Sequence, residues 1–164
     1  MTSKTLDLGC GVNLRNPFGA DELYGIDIRP NENENIRVAD LAIEPIPFPD
    51  EYFDFATAYD FIEHIPRIIY NPNRRFCFIE LMNEIYRVLK LEGIFVSFTP
   101  AYPREVAWTD PTHVNLITEH TFPMYFDDKN KWGKIYGFNG AFNIVDQKWN
   151  IDNTHLKTVL KKVK

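Results

Sequence analysis

The stretch Thr5-Leu6-Asp7-Leu8-Gly9-Cys10-Gly11-Val12-Asn13 constrains this chain more than any other. Apolar and strand-favouring positions run straight into two glycines spaced by one residue. A buried strand ends this way when its backbone must turn sharply beside a bound ligand. Glycine accepts the turn and leaves bare main chain for the ligand to lie against.

The rest of the chain supplies partners for that strand. Residues 5–8 read as the first strand, 23–28 as the second, 36–39 as the third, 53–59 as the fourth and 94–98 as the fifth. Fourteen residues (9–22) separate the first two, and Pro17 and Gly19 interrupt them, so any first helix is short, about two turns from Asn13. The run Pro45-Ile46-Pro47-Phe48-Pro49 is extended but no central strand. Asn71-Pro72-Asn73 breaks the chain before residues 75–90. There Phe78, Ile79, Met82, Ile85, Tyr86 and Leu89 repeat at the spacing of an amphipathic helix, with Gly93 as its stop. Residues 141–145 and 155–160 alternate like a terminal pair of strands, and Asn139-Gly140 ahead of them is a turn or bulge signal. A short helix is expected from Glu119.

Strands alternating with helices and short turns predict an α/β fold. The expected architecture is a doubly wound, Rossmann-like sheet of seven strands, mostly parallel, closed by an antiparallel C-terminal pair. Its first helix is shortened. At 164 residues, 45% of them hydrophobic and 25% charged, the chain suits one globular domain spanning 1–164. The net charge of −5 gives no general attraction to nucleic acid. The basic run at 157–164 reads as a solvated strand face and a frayed end. Two cysteines are too few for a disulfide framework, and neither a leader nor an apolar run of membrane-spanning length is present. The expectation is a soluble, cytoplasmic protein without a membrane span.

In open α/β sheets ligands bind beyond the carboxyl ends of the strands, and every distinctive polar residue of the first half falls at such an end. Gly9 and Gly11 follow strand one, Asp27 closes strand two, Asp40 follows strand three, and residues 60–64 follow strand four. Asp27 lies twenty residues past Asp7, a spacing that suits an acid accepting hydrogen bonds from both ribose hydroxyls of an adenosine. A dinucleotide fits poorly. The sixth position of its glycine fingerprint is Leu14, and Pro17 cuts short the helix that would receive the pyrophosphate. A cofactor without phosphates removes that objection.

Leu6-Asp7-Leu8-Gly9-Cys10-Gly11, Tyr24-Gly25-Ile26-Asp27, Ala39-Asp40-Leu41, Pro47-Phe48-Pro49-Asp50 with Phe53-Asp54, Phe61-Ile62-Glu63-His64-Ile65 and Glu84-Ile85-Tyr86-Arg87-Val88-Leu89-Lys90-Leu91-Glu92-Gly93 occur in this order. Together they resemble class I S-adenosylmethionine-dependent methyltransferases, more narrowly the small type 11-like group. The resemblance implies S-adenosyl-L-methionine as cofactor and carries roles over by position. Asp7, Gly9, Cys10 and Gly11 would surround its methionine part, with Asp7 directed toward the amino group. Asp27, with Ile28 beside it, would hold the ribose hydroxyls. Asp40 would face the adenine amino group, with Leu41 at the ring edge, and Tyr59 and Asp60 would line the sulfonium side. Asn13 replaces the third glycine of the family's loop, and the N-terminal capping helices common in the family have no counterpart ahead of strand one.

Methyl transfer from a sulfonium is an in-line displacement that needs alignment and exclusion of water, and a hydroxyl acceptor also needs a base. His64 and His113 are the candidate catalytic residues. Cys10 is read as a small residue fitting its turn, and His120 and His155 as surface or strand positions. Asp110 and His113 carry donors that suit a metal, but no third convergent ligand is visible in the sequence and none is expected. In an enzyme of this class residues 101–134 would be an insertion covering the acceptor site. At least half of Tyr102, Trp108, Phe122, Tyr125, Phe126 and Trp132 are expected to be core. No Asn-Pro-Pro-Tyr-like tetrapeptide follows strand four. That absence and the acidic charge point away from nucleic acid and toward a small-molecule acceptor. The family resemblance implies an acceptor such as a hydroxyl of a metabolite or sugar-containing intermediate. A second reading is a non-catalytic cofactor-binding or regulatory module of the same fold. A nicotinamide-linked oxidoreductase is a distant third.

Overall fold

The computed structural model describes residues 2–70 and 72–164; Asn71, part of the expected break, lies outside them. One sheet contains β1 (Lys4–Leu8), β2 (Glu22–Asp27), β3 (Ile36–Val38), β4 (Phe53–Tyr59), β7 (Leu89–Pro100), β8 (Phe142–Trp149) and β9 (His155–Lys162). A separate antiparallel pair joins β5 (Ile69–Tyr70) to β6 (Arg74–Arg75). The helices are α1 (Cys77–Val88), α2 (Val106–Thr109) and α3 (Thr121–Tyr125), with 3₁₀ turns at Ile62–His64 and Trp132–Tyr136. The sheet order is β3-β2-β1-β4-β7-β9-β8. Its first five strands are parallel, and β9 runs antiparallel to both β7 and β8. The expected seven-stranded architecture is therefore present.

The chain winds outward from β1 through β2 to β3, then crosses to β4 on the other side of β1. The strand order reverses between β1 and β4, and a ligand crevice belongs at the carboxyl ends of those strands. In β1 the run Thr5-Leu6-Asp7-Leu8 is buried throughout, the continuous burial of a central strand covered on both faces.

Helical cover is thinner than the sequence suggests. No helix forms in residues 9–21, where two turns are expected from Asn13. Asn16 closes a loop there instead: its side chain donates to Ala20 O at 3.0 Å and accepts from Ala20 N at 2.8 Å. Pro17 removes a donor and Gly19 adopts φ +64°, so the backbone takes the turn that asparagine offers it. Phe18 stacks on Phe55 at 4.3 Å and holds the loop down.

The long helix forms over Cys77–Val88 within the expected 75–90, and Leu89 and Lys90 already belong to β7. Cys77, Phe78, Leu81, Met82, Ile85 and Val88 face the core, and Glu80, Glu84 and Arg87 face outward. Arg87 pairs with Glu84 and Asp50 and donates to the carbonyls of Ile46 and Phe48, which fastens the proline-rich run to α1. Gly93 lies inside β7, not at the helix end. A Cβ there would stand 2.8 Å from Lys90 O and 3.2 Å from Asp54 O, so backbone packing is the reason for glycine.

The aromatics of residues 101–134 divide by position. Phe122 and Phe126 are core, packed with Phe78 and Phe138, and Tyr125 packs against that core half-buried. Tyr102, Trp108 and Trp132 are exposed. The basic run at the C-terminus is not all solvated. Lys162 is buried, donates to Leu89 O at 2.7 Å and lies 4.4 Å from the Tyr86 ring centroid, because the alternation of β9 points position 162 inward with Leu156, Thr158 and Leu160. Among the described residues, no helix is long and apolar enough to cross a membrane.

Candidate active site

The loop that leaves β1 folds over the end of β2. The amides of Gly9 and Cys10 both donate to Ile26 O, at 2.8 and 3.1 Å, and Gly11 N donates to Asp27 Oδ2 at 2.8 Å. Gly9 and Gly11 have φ +65° and +63°, the left-handed region that favours glycine. Phe61 lies directly over Gly9: a Cβ on Gly9 would sit 2.4 Å from the Phe61 ring. Beside this bare main chain is a cavity of about 300 Å³, lined by Gly9, Asp27, Leu41, Asp60, Phe61 and His64 among others. That volume is at the lower end for small-molecule sites, roughly 300–1,000 Å³.

Of the residues expected from sequence, Gly9, Asp27, Ile28, Asp40, Leu41, Asp60 and His64 line this cavity. Asp27 is 6% exposed, and its carboxylate takes Arg29 Nε at 2.9 Å and Arg29 N at 3.0 Å on one oxygen. The Arg29 guanidinium holds that carboxyl below the usual range for aspartate. A ribose diol and this guanidinium would compete for the same two oxygens. Arg29 is 72% exposed, so its pair is weak and solvent-screened. Replacing Arg29 with alanine is therefore expected to tighten S-adenosylhomocysteine binding by up to about fivefold in a calorimetric titration. Asp40 lies at the cavity edge. One of its carboxylate oxygens accepts Ala42 N at 3.0 Å, and its backbone oxygen accepts Ile43 and Glu44 N, so the turn that carries Leu41 is built on Asp40.

Asp7, Cys10, Gly11, Tyr59 and His113 do not line that cavity. Asp7 is buried, with Thr57 Oγ1 at 2.8 Å on one oxygen and Arg15 N at 3.0 Å on the other. Burial raises its carboxyl against the pull of those donors. An amino group directed at Asp7 would have to share oxygens that already serve the protein. Arg15, 44% exposed, lies 3.6 Å from Asp7 and 5.2 Å from the Tyr59 ring centroid, which puts a guanidinium at the mouth of β1 and β4. Burial pushes the Cys10 thiol up to about 11, which removes it as a nucleophile and agrees with its reading as a small turn residue. Asp60, at φ +48°, pairs with His155 Nε2 at 2.9 Å, and His155 stacks on Phe98. His155 is thus no bland strand residue.

His64 and His113 are brought together from far apart in sequence. Val114 N and Asn115 N both donate to Glu63 O at 2.9 Å, and the Asn115 side chain donates to Ile62 O at 3.1 Å, tying residues 113–115 to the 3₁₀ turn. The two imidazoles meet edge to face, with centroids 4.9 Å apart. Their tautomers follow from their partners. Thr112 Oγ1 spends its one proton on Asp110 Oδ1 at 2.7 Å, and the Thr112 hydrogen bonds lower that carboxyl. The hydroxyl must then accept from His64 Nδ1, 3.0 Å away. His113 Nδ1 faces the carbonyl oxygen of Ala107 at 3.3 Å and must also donate. In its neutral form each ring then carries its lone pair on Nε2.

A family model described as a methyltransferase domain, type 11, matches residues 6–97, more than half of the chain. The chain belongs to the type 11 methyltransferase family. No curated protein matches this methyltransferase in sequence. Among solved structures it resembles an S-adenosylmethionine-dependent methyltransferase from Archaeoglobus fulgidus, with 18% identity, a TM-score of 0.62 and coverage of 98% of this chain and 86% of that one. It also resembles the PH0226 protein from Pyrococcus horikoshii, with 19% identity, a TM-score of 0.65 and coverage of 99% and 82%. A third is a putative sarcosine dimethylglycine methyltransferase from Galdieria sulphuraria, with 12% identity, a TM-score of 0.63 and coverage of 99% and 78%. At these identities the structures speak for the fold. The protein is an enzyme, its cofactor is S-adenosylmethionine and its reaction is methyl transfer. The site fits that cofactor: a buried carboxylate at the end of β2, apolar walls from Ile26, Ala39 and Leu41, and glycine backbone beside them.

Arg15, Arg29, Glu63 and Thr112 belong to this site without a role assigned to them from sequence. Arg29 had a signal, since it stands only two positions past Asp27, close enough for its side chain to fold back onto that carboxylate. Thr112 and Glu63 are defined by contacts across the fold, and a single sequence does not encode those visibly.

Proposed function

We propose that the enzyme methylates a hydroxyl of a small-molecule acceptor, such as a metabolite or sugar-containing intermediate, at the face between the 3₁₀ turn Ile62–His64 and residues 101–134. The observation that carries this reading is the pair His64 and His113, whose Nδ1 atoms are engaged by Thr112 and the Ala107 carbonyl, next to the cavity at the strand ends. Bound S-adenosylmethionine supplies an electrophilic methyl group on a positively charged sulfur.

The chain's own residues supply alignment and handle the proton. Asp27 holds the ribose, Ile28 and Leu41 flank the adenine, Asp40 takes its amino group, and the Gly9-Cys10-Gly11 backbone lies along the methionine part. Arg15 provides the positive charge for the cofactor's carboxylate. Tyr59 and Asp60, with Asp60 fixed by His155, border the reacting methyl. His64 and His113 favour the ionised form of the acceptor hydroxyl. Residues 101–134 cover that side, and the exposed Tyr102 and Trp108 there are apolar surface for an acceptor. The charge of −5 supports a small molecule over nucleic acid.

A labelled-methyl assay against a metabolite extract tests this. Wild type is expected to transfer label into a small organic product stable to mild base, as an ether is. His64→Asn is expected to lower turnover at least about 100-fold and to leave S-adenosylhomocysteine affinity within about threefold. Label appearing in nucleic acid or protein, or equal turnover by His64→Asn, contradicts the proposal.

A further inference from the structure

Glu63 sits in the 3₁₀ turn just before His64 and is 1% exposed. Its Oε2 accepts Thr99 Oγ1 at 2.7 Å, but its Oε1 is buried with no hydrogen-bond partner among the described residues. A buried carboxylate oxygen left bare is expensive, and a bound ion is one of the things that accounts for such an atom. Next to it stand two imidazoles whose Nδ1 atoms are already committed as donors. One donor atom each of Glu63, His64 and His113 lies within 4.8 Å of the other two.

We propose that Glu63, His64 and His113 form a binding site for a divalent transition-metal cation. Two neutral imidazoles and one carboxylate are a borderline-soft set that suits Zn²⁺, Fe²⁺, Co²⁺ or Mn²⁺ better than Mg²⁺ or Ca²⁺. Ligand atoms of a tetrahedral zinc site stand about 3.4 Å apart. Reaching that spacing from 4.8 Å requires torsions of the two histidines, both of them half-buried. The surrounding groups match what metal ligands require: His64 Nδ1–H is anchored on Thr112 and through it on Asp110, and His113 Nδ1–H on the Ala107 carbonyl. Three protein ligands leave a coordination position open, as catalytic sites do and structural sites do not. By sequence Asp110 and His113 lack a third convergent ligand. In the fold Asp110 supports His64 through Thr112, and the third ligand is Glu63.

The site deepens the proposed function and rests on it for its role. A cation there binds the acceptor's hydroxyl oxygen and lowers its pKa. The hydroxyl proton leaves to solvent. The oxygen lone pair then forms the new O–CH₃ bond while the S–CH₃ bond breaks, and its electron pair neutralises the sulfonium. His64 and His113 act on the hydroxyl through the metal.

The test uses the full, untagged chain, stripped with chelator and titrated calorimetrically with Zn²⁺ alone, then with Co²⁺ while its visible absorption is followed. Wild type is expected to bind one equivalent of each, with the coloured bands of a four- or five-coordinate Co²⁺. His113→Ala and Glu63→Gln should each weaken binding at least about tenfold. Thr112→Val, which removes no ligand, should weaken it about tenfold by releasing His64, whereas His120→Ala should change nothing. Circular dichroism melts identify any variant that fails to fold, and Thr112→Val and His113→Ala keep the test valid if Glu63→Gln is one. Absence of stoichiometric binding, octahedral-only Co²⁺ spectra, or equal affinity in His113→Ala overturns the site. S-adenosylhomocysteine binding, measured separately, distinguishes that failure from failure of the methyltransferase reading.

Discussion

Replacing Asp27 with alanine is expected to weaken S-adenosylhomocysteine binding by more than tenfold in a calorimetric titration. The carboxylate is almost fully buried, and its two oxygens are the acceptors at the cavity wall that a ribose diol can use together. Losing charged hydrogen bonds in such a place costs about 1.4 kcal/mol or more. The same substitution also frees Gly11 N, which Asp27 Oδ2 holds at 2.8 Å, so the glycine loop loses an anchor. Asp27→Asn separates the two losses. It keeps an acceptor for Gly11 but not the second acceptor for the diol, so it should still bind several-fold more weakly than wild type. Unchanged affinity in Asp27→Ala would remove Asp27 from the cofactor site.

Gly9→Ala is expected to have the largest effect on the fold among single changes at the site. At φ +65° an alanine costs about 1–2 kcal/mol for its conformation alone. Its Cβ would also stand 2.4 Å from the Phe61 ring, a distance at which something must move. Phe61 is a cavity wall, so movement there disturbs the site as well. Gly19 provides the control. It has nearly the same φ, +64°, but nothing within 4 Å of an added Cβ. Gly19→Ala should lower Tm by roughly 2–8 °C and leave S-adenosylhomocysteine binding as it is, whereas Gly9→Ala should lower Tm by more than roughly 8 °C and bind poorly. Equal effects would mean that strain alone, without the Phe61 contact, explains Gly9.

The parts of the fold legible in the sequence are those set by local pattern. The continuous apolar run before Gly9 marked a strand covered on both faces, and the helical spacing from Phe78 to Leu89 marked α1. Local pattern failed where competing local interactions were close in energy. From Asn13 onward the sequence predicts a short helix, and Asn16, Pro17 and Gly19 close a loop there instead. Lys162 had a signal that charge obscured: its position in the alternation of β9 points inward, and the carbonyl of Leu89 is there to receive it.

The site divides the same way. Residues at strand ends, such as Gly9, Asp27, Asp40 and Asp60, were legible because topology fixes where strand ends gather. Their partners were not. Arg29 on Asp27, Arg15 over Asp7, Thr112 on His64 and His155 on Asp60 depend on side chains meeting across connections of very different length. Glu63 was legible as part of a motif but not as a ligand-bearing group, since its burial and its unpartnered oxygen exist only in the folded chain.

A crystal structure of the enzyme with S-adenosylhomocysteine tests the central claim most directly. The expected result places the adenosine in the cavity at the ends of β1, β2 and β3, with both ribose hydroxyls on Asp27 and the Arg29 side chain swung into solvent. A structure with the nucleoside elsewhere, and Arg29 still closed on Asp27, would contradict it.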